Sequence, residues 1–139
     1  MTVTCFAGNP YVQGNWKGRL LSNYLDVYNK NGLSVNLYLM DDKSDGNLVG
    51  EMTIHYQYQE DVYRAKYKVS GKINYNTFQF NITQTELVFS DLLPKGLEWC
   101  MGKADNLQIY RSSKVKKLYI DGQFETNCNE KYRMVLFKK

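Results

Sequence analysis

The residues able to do acid–base or nucleophilic chemistry are few and scattered. The chain holds one histidine, His55, between Ile54 and Tyr56 and on the side opposite the apolar row of that stretch. An outward strand position accounts for it, and a Ser-His-Asp site needs partners that only the fold can bring to it. Paired carboxylates of the glycosidase kind have candidates in Glu51, Glu60, Asp61, Glu86 and Glu98. Glu60-Asp61 fits a turn. Glu86 lies in the sparsely charged stretch from Phe78 to Phe89 and reads as an outward strand charge or as an isolated acid. The three cysteines, Cys5, Cys100 and Cys128, lack the short spacings of a zinc site or a redox motif, so no metal or cofactor is expected. Cys100 and Cys128 fall near the starts of late strands and could pair, which leaves Cys5 over; the pairing stays open. There is no Gly-x-Ser-x-Gly elbow, no His-Glu-x-x-His motif and no phosphate-cradling glycine loop, and no catalytic residue is assigned.

The denser pattern is phenolic. Twelve tyrosines stand among 139 residues. Tyrosine packs well on a half-buried sheet, and its hydroxyl can also meet water or a ligand. If Met52 and Ile54 face inward, Tyr56 and Tyr58 share their face; Tyr63 and Tyr67 align with Ala65 and Val69. Arg111 has the parity of Leu107 and Ile109, and Tyr132 that of Met134 and Leu136. The candidate ligand-binding set is therefore Tyr56, Tyr58, Tyr63, Tyr67, Arg111 and Tyr132. Such a lining, apolar with a few phenols and one guanidinium, suits a small hydrophobic or amphipathic molecule bearing an acidic group. That reading calls for a cavity of roughly 300 Å³ or more; the alternative is a barrel filled by its own side chains.

The elements that must hold these residues are strands. Alternation runs through Ser34–Met40, Leu48–Tyr58, Val62–Ser70, Asn76–Thr83, Lys117–Thr126 and Tyr132–Phe137. A strand is also expected at Asn15–Ser22 and another through Leu107 and Ile109, with Glu86–Phe89 as a short apolar stretch. Polar turns are expected at 41–47 and 59–61, a turn or bulge at Gly71, and a loop at Leu92–Gly96. Leu20 to Asn31 has roughly helical spacing, so one short helix near the N-terminus stays open beside the strand reading. Hairpin-length connections without helical crossovers exclude a parallel sheet. The expected fold is all-β, an antiparallel up-and-down β-barrel of about eight strands in one domain, residues 1–139.

A net charge of +4 with basic residues alternating among apolar ones does not describe a nucleic-acid-binding face. No stretch is long and apolar enough for a membrane-spanning helix, and the first residues do not read as an export signal.

Gly14-Asn15-Trp16 matches the Gly-x-Trp signature at the first strand of calycins, which include lipocalins, fatty-acid-binding proteins and avidins. Gly14 to Lys17 with Ser22, Asn23 and Tyr24 is similar to the opening of fatty-acid-binding proteins. Trp16, Gly18, Gly50, Gly71, Trp99-Cys100, Leu118, Gly122, Cys128 and Leu136-Phe137-Lys138 form a series that resembles short, secreted, lipocalin-like bacterial proteins. The resemblance implies that Trp16 closes one end of the barrel, often packed by a basic residue from a late strand. It also implies a secreted or periplasmic location. The leading expectation is a small-molecule binding protein. The alternatives are a filled barrel that engages a protein or glycan, and a barrel enzyme of the isomerase or cyclase type using Glu86, His55 or a tyrosine as its acid.

Overall fold

Apolar residues at every second position leave each strand one face to bury, and closing the sheet on itself buries all of those faces together. The computed structural model describes residues 11–22, 33–114 and 116–139. Among these lie eight strands: β1 (Gly14–Leu21), β2 (Leu33–Met40), β3 (Asn47–Tyr58), β4 (Asp61–Asn74), β5 (Gln79–Ser90), β6 (Gly102–Arg111), β7 (Leu118–Thr126) and β8 (Lys131–Lys138). Each pairs antiparallel with the next, and β1 pairs with β8, giving the closed up-and-down barrel. No helix occurs among the described residues, and none is long and apolar enough to cross a membrane. Of the stretch with helical spacing, Leu20 and Leu21 belong to β1, and residues 23–32 lie outside the described residues.

The core is the inward row of every strand. It runs from Leu20 through Val35, Leu37, Met52, Ile54, Ala65, Tyr67, Phe80, Leu107, Ile120, Phe124 and Met134 to Leu136, all buried. Arg64, Lys66 and Lys68 point outward from β4, as the alternation predicts; Lys66 pairs with Glu51 at 3.0 Å and Lys68 with Glu86 at 3.3 Å across the outer surface.

Neither the turn nor the bulge expected at Gly71 occurs there, since Gly71 pairs regularly with Leu48 and Ile82. Gly71 lies within β4, and the chain turns at residues 75–78, where the Asn74 side chain accepts from the Asn76 amide at 2.8 Å and Phe78 takes a positive φ of 59°. Gly71 answers to close approach instead, since a Cβ there would run into the Asn81 carbonyl oxygen of β5. Gly50 stands in the same relation to the Tyr38 carbonyl of β2. The stretches Asn76–Thr83 and Glu86–Phe89 belong largely to one long strand, β5. Its alternation fails after Gln84 because the β4–β5 register shifts between Lys66 and Tyr67 and again between Lys68 and Val69. β6 pairs with β5 only across Gln79–Thr83, so Thr85–Ser90 has a strand partner on one side only among the described residues.

One end of the barrel is plugged. Trp16 is fully buried, its Nε1 donates to the Val12 carbonyl at 2.9 Å, and the Lys138 ammonium lies 5.4 Å from the centre of its ring. Nearby, the buried Asp41 carboxylate accepts from the Gly46 amide at 2.8 Å, the Asp45 amide at 3.2 Å and the Tyr75 hydroxyl at 2.5 Å, which locks the β2–β3 turn over the core.

Candidate functional site

The opposite end holds a cup. It is framed by Leu20 of β1 with Ser22 just past it, the start of β2 (Leu33), the end of β3 (Ile54, Tyr56), Tyr67 of β4, the end of β7 (Phe124, Thr126), and Tyr132 of β8 with Glu130 just before that strand. Its remaining wall is the β5–β6 connection, which contributes Leu93, Leu97, Glu98, Trp99 and Cys100. The cavity is about 160 Å³ and mostly apolar, with five aromatic rings on its lining. That is about half the volume the binding expectation called for, because the inward side chains fill the barrel below the cup.

The connection is held in place at several points. Asp91 ties its start to β4: its amide donates to the Arg64 carbonyl at 2.8 Å, and its carboxylate accepts from the Arg64 amide at 2.7 Å. The Trp99 indole N–H donates to the Asp91 carbonyl at 2.8 Å. At the far end, Met101 and Asn127 exchange two hydrogen bonds, Asn127 amide to Met101 carbonyl at 2.8 Å and Met101 amide to Asn127 Oδ1 at 3.1 Å. Beside them Cys100 and Cys128 form a disulfide with a Cα separation of 6.0 Å. The Cys100 carbonyl in turn accepts from the Tyr67 hydroxyl at 3.0 Å. A buried glutamine, Gln84, supports the cup from below, its Oε1 accepting from the Gly102 amide at 2.8 Å.

Three of the six tyrosine and arginine candidates come together here: Tyr56, Tyr67 and Tyr132. Burial pushes the Tyr67 phenol up to about 12. Tyr132 is raised by burial and by the Glu130 carboxylate, which accepts from its hydroxyl at 3.0 Å. Tyr56 is raised more mildly, again first by burial. All three phenols are therefore neutral hydroxyls near pH 7. The other three candidates are elsewhere. Tyr58 is an exposed residue at the tip of β3, its ring centre 6.1 Å from that of Tyr56. Tyr63 is half-buried opposite Tyr56 on β4 and does not line the cup. Arg111 corrects the expected lining: it closes β6 at the plugged end, exposed, and brings no guanidinium to the cup.

The chemical candidates are also dispersed. His55 lies on the outer face between Ser34 and Arg64, its imidazole held below its ordinary value by partial burial and then by the charges of Arg64 and Lys17. Glu86 is an exposed outer-face residue engaged with Lys68. Of the carboxylate candidates only Glu98 reaches the cup, where Glu130, not singled out from the sequence, joins it. The Glu98 carboxylate and the sulfurs of Cys100 and Cys128 lie within 4.8 Å of one another, but sulfurs joined in a disulfide offer no thiolate to a metal ion. Trp99, Leu93, Leu97 and Glu130 carry no inward strand parity, so alternation does not find them; the signal that points to them is the Trp99-Cys100 pair and its partner cysteine two residues before Glu130. Comparison with protein-family models, with curated proteins and with solved structures gives no significant match to this chain.

Proposed function

We propose that this protein is a lipocalin-like small-molecule binding protein that takes a compact, largely apolar ligand into the cup at the open end of its barrel. The observation that carries the reading is the aromatic cup of about 160 Å³ walled by a cross-linked loop, at the end opposite a fully packed plug. A cavity of about 150 Å³ lined by apolar side chains holds a molecule the size of benzene, so the ligand, or the part of it that enters, has fewer than about ten heavy atoms. The Cys100–Cys128 bond favours an oxidising compartment, in keeping with a secreted or periplasmic site of action.

Ligand-observed NMR with a panel of monocyclic aromatic fragments tests this. Binding is expected for wild-type protein and should disappear in Ile54→Phe, which fills the cup from its lining while keeping an apolar residue in the core. Equal binding by both proteins places the fragments elsewhere and defeats the reading.

A second reading, an interaction module, is favoured by one feature. Leu87, Val88 and Phe89 on the singly paired part of β5 are exposed, and so is Leu92 just beyond it. An unpaired strand edge with apolar side chains can accept another strand. Val88→Lys would then abolish partner capture while leaving fragment binding intact; retained capture removes this reading.

A further inference from the structure

We infer that the ligand of the cup is an organic ammonium ion, a small apolar or aromatic amine carrying one positive charge. The inference rests on the reading of the cup as a small-molecule site and specifies its chemistry. Two carboxylates, Glu98 and Glu130, lie on the lining, and no lysine or arginine does. Neither acid takes part in an ion pair among the described residues. Glu130 accepts from the Tyr132 hydroxyl at 3.0 Å and from the Thr126 hydroxyl at 3.3 Å. These neutral donors orient the carboxylate and bring it no positive charge; both acids stand exposed at the rim of the cup. Glu98 approaches the Cys128 sulfur at 3.7 Å, but a disulfide sulfur has no proton to donate, so that carboxylate gains no hydrogen bond from the contact.

The chain as a whole carries +4, so the cup is a local reversal of sign. Around the acids stand the rings of Tyr56, Tyr67, Trp99, Phe124 and Tyr132. Aromatic faces attract a desolvated cation and carboxylates complete its charge balance; the same groups repel an anion and offer a neutral molecule only its apolar contact. The acidic ligand that Arg111 suggested from strand parity is thereby replaced by one of opposite charge.

The test is a matched series of benzylamine, benzyl alcohol and benzoate, titrated at pH 7 against the intact disulfide-bonded protein by NMR. The ammonium form of benzylamine is expected to bind about tenfold or more tightly than benzyl alcohol, with benzoate weakest. Glu130→Gln and Glu98→Gln should each shrink that preference severalfold, read as the ratio of benzylamine to benzyl alcohol affinity in the same variant. Equal affinity for amine and alcohol, or tightest binding of benzoate, overturns the cation inference and leaves the small-molecule reading standing. Absence of binding by all three overturns both. Should a glutamine variant fail to fold, the ranking on the wild-type protein still decides.

Discussion

The phenol of Tyr67 reaches from the middle of β4 to the Cys100 carbonyl at 3.0 Å, fastening the barrel interior to the loop that walls the cup. Removing the hydroxyl in Tyr67→Phe should cost about 1 kcal/mol, a typical net value for one internal hydrogen bond. The pH dependence has a definite sign. The phenol is pushed from its ordinary 10.0 to about 12 in the folded protein. Its contribution is thus intact below pH 10 and is lost as pH rises through about 12. Chemical denaturation across that range should show a steeper alkaline loss for wild type than for Tyr67→Phe; parallel curves refute the assignment.

The disulfide spans 28 residues of sequence. Loop-closure entropy for a ring of that size gives about 3–4 kcal/mol. Cys100→Ala/Cys128→Ala should lose stability on that scale. Hydrogen exchange should rise most at Trp99, Met101 and Asn127, with the plugged end around Trp16 spared. Uniform loss of protection would mean that the bond serves the whole barrel and not the cup wall.

Gly71→Ala places a methyl group against the Asn81 carbonyl oxygen, a backbone atom with no freedom to swing aside. A destabilisation of about 3 kcal/mol is expected from such overpacking. Gly96→Ala is the contrasting case: its φ of 92° is strained for alanine, yet nothing crowds the added methyl. Its cost should be about 1 kcal/mol, the backbone term alone. Equal melting temperatures for the two variants contradict this account.

His55, the chain's one histidine, gives an unambiguous NMR titration. Its midpoint is expected below 6.5, from partial burial and then the charges of Arg64 and Lys17. Added salt screens those charges and should move the midpoint upward. A depressed folded-state midpoint means that the unfolded chain binds the proton more readily. Stability from this group is therefore complete above pH 6.5 and declines as pH falls through the folded midpoint. A midpoint at 6.5 would mean an imidazole free of both influences, and a midpoint above it would contradict them outright.

Period-two spacing, a local property, determined most of the architecture. Leu33, Val35, Leu37 and Leu39 face inward on β2, and Arg64, Lys66 and Lys68 face outward on β4, because successive side chains must alternate across a pleated strand. Parity assigns a side of the sheet but not a height along the barrel. Arg111 and Tyr132 both have inward parity, yet β6 runs away from the cup and β8 begins at it, so they finish at opposite ends. Only the closed sheet decides that, since height follows from register and strand direction. The tertiary structure alone likewise brought Glu98, Trp99 and Cys100 over the barrel mouth, against Tyr67 and Cys128. Those contacts join segments far apart in sequence through a disulfide and hydrogen bonds, and no periodicity within either segment encodes them.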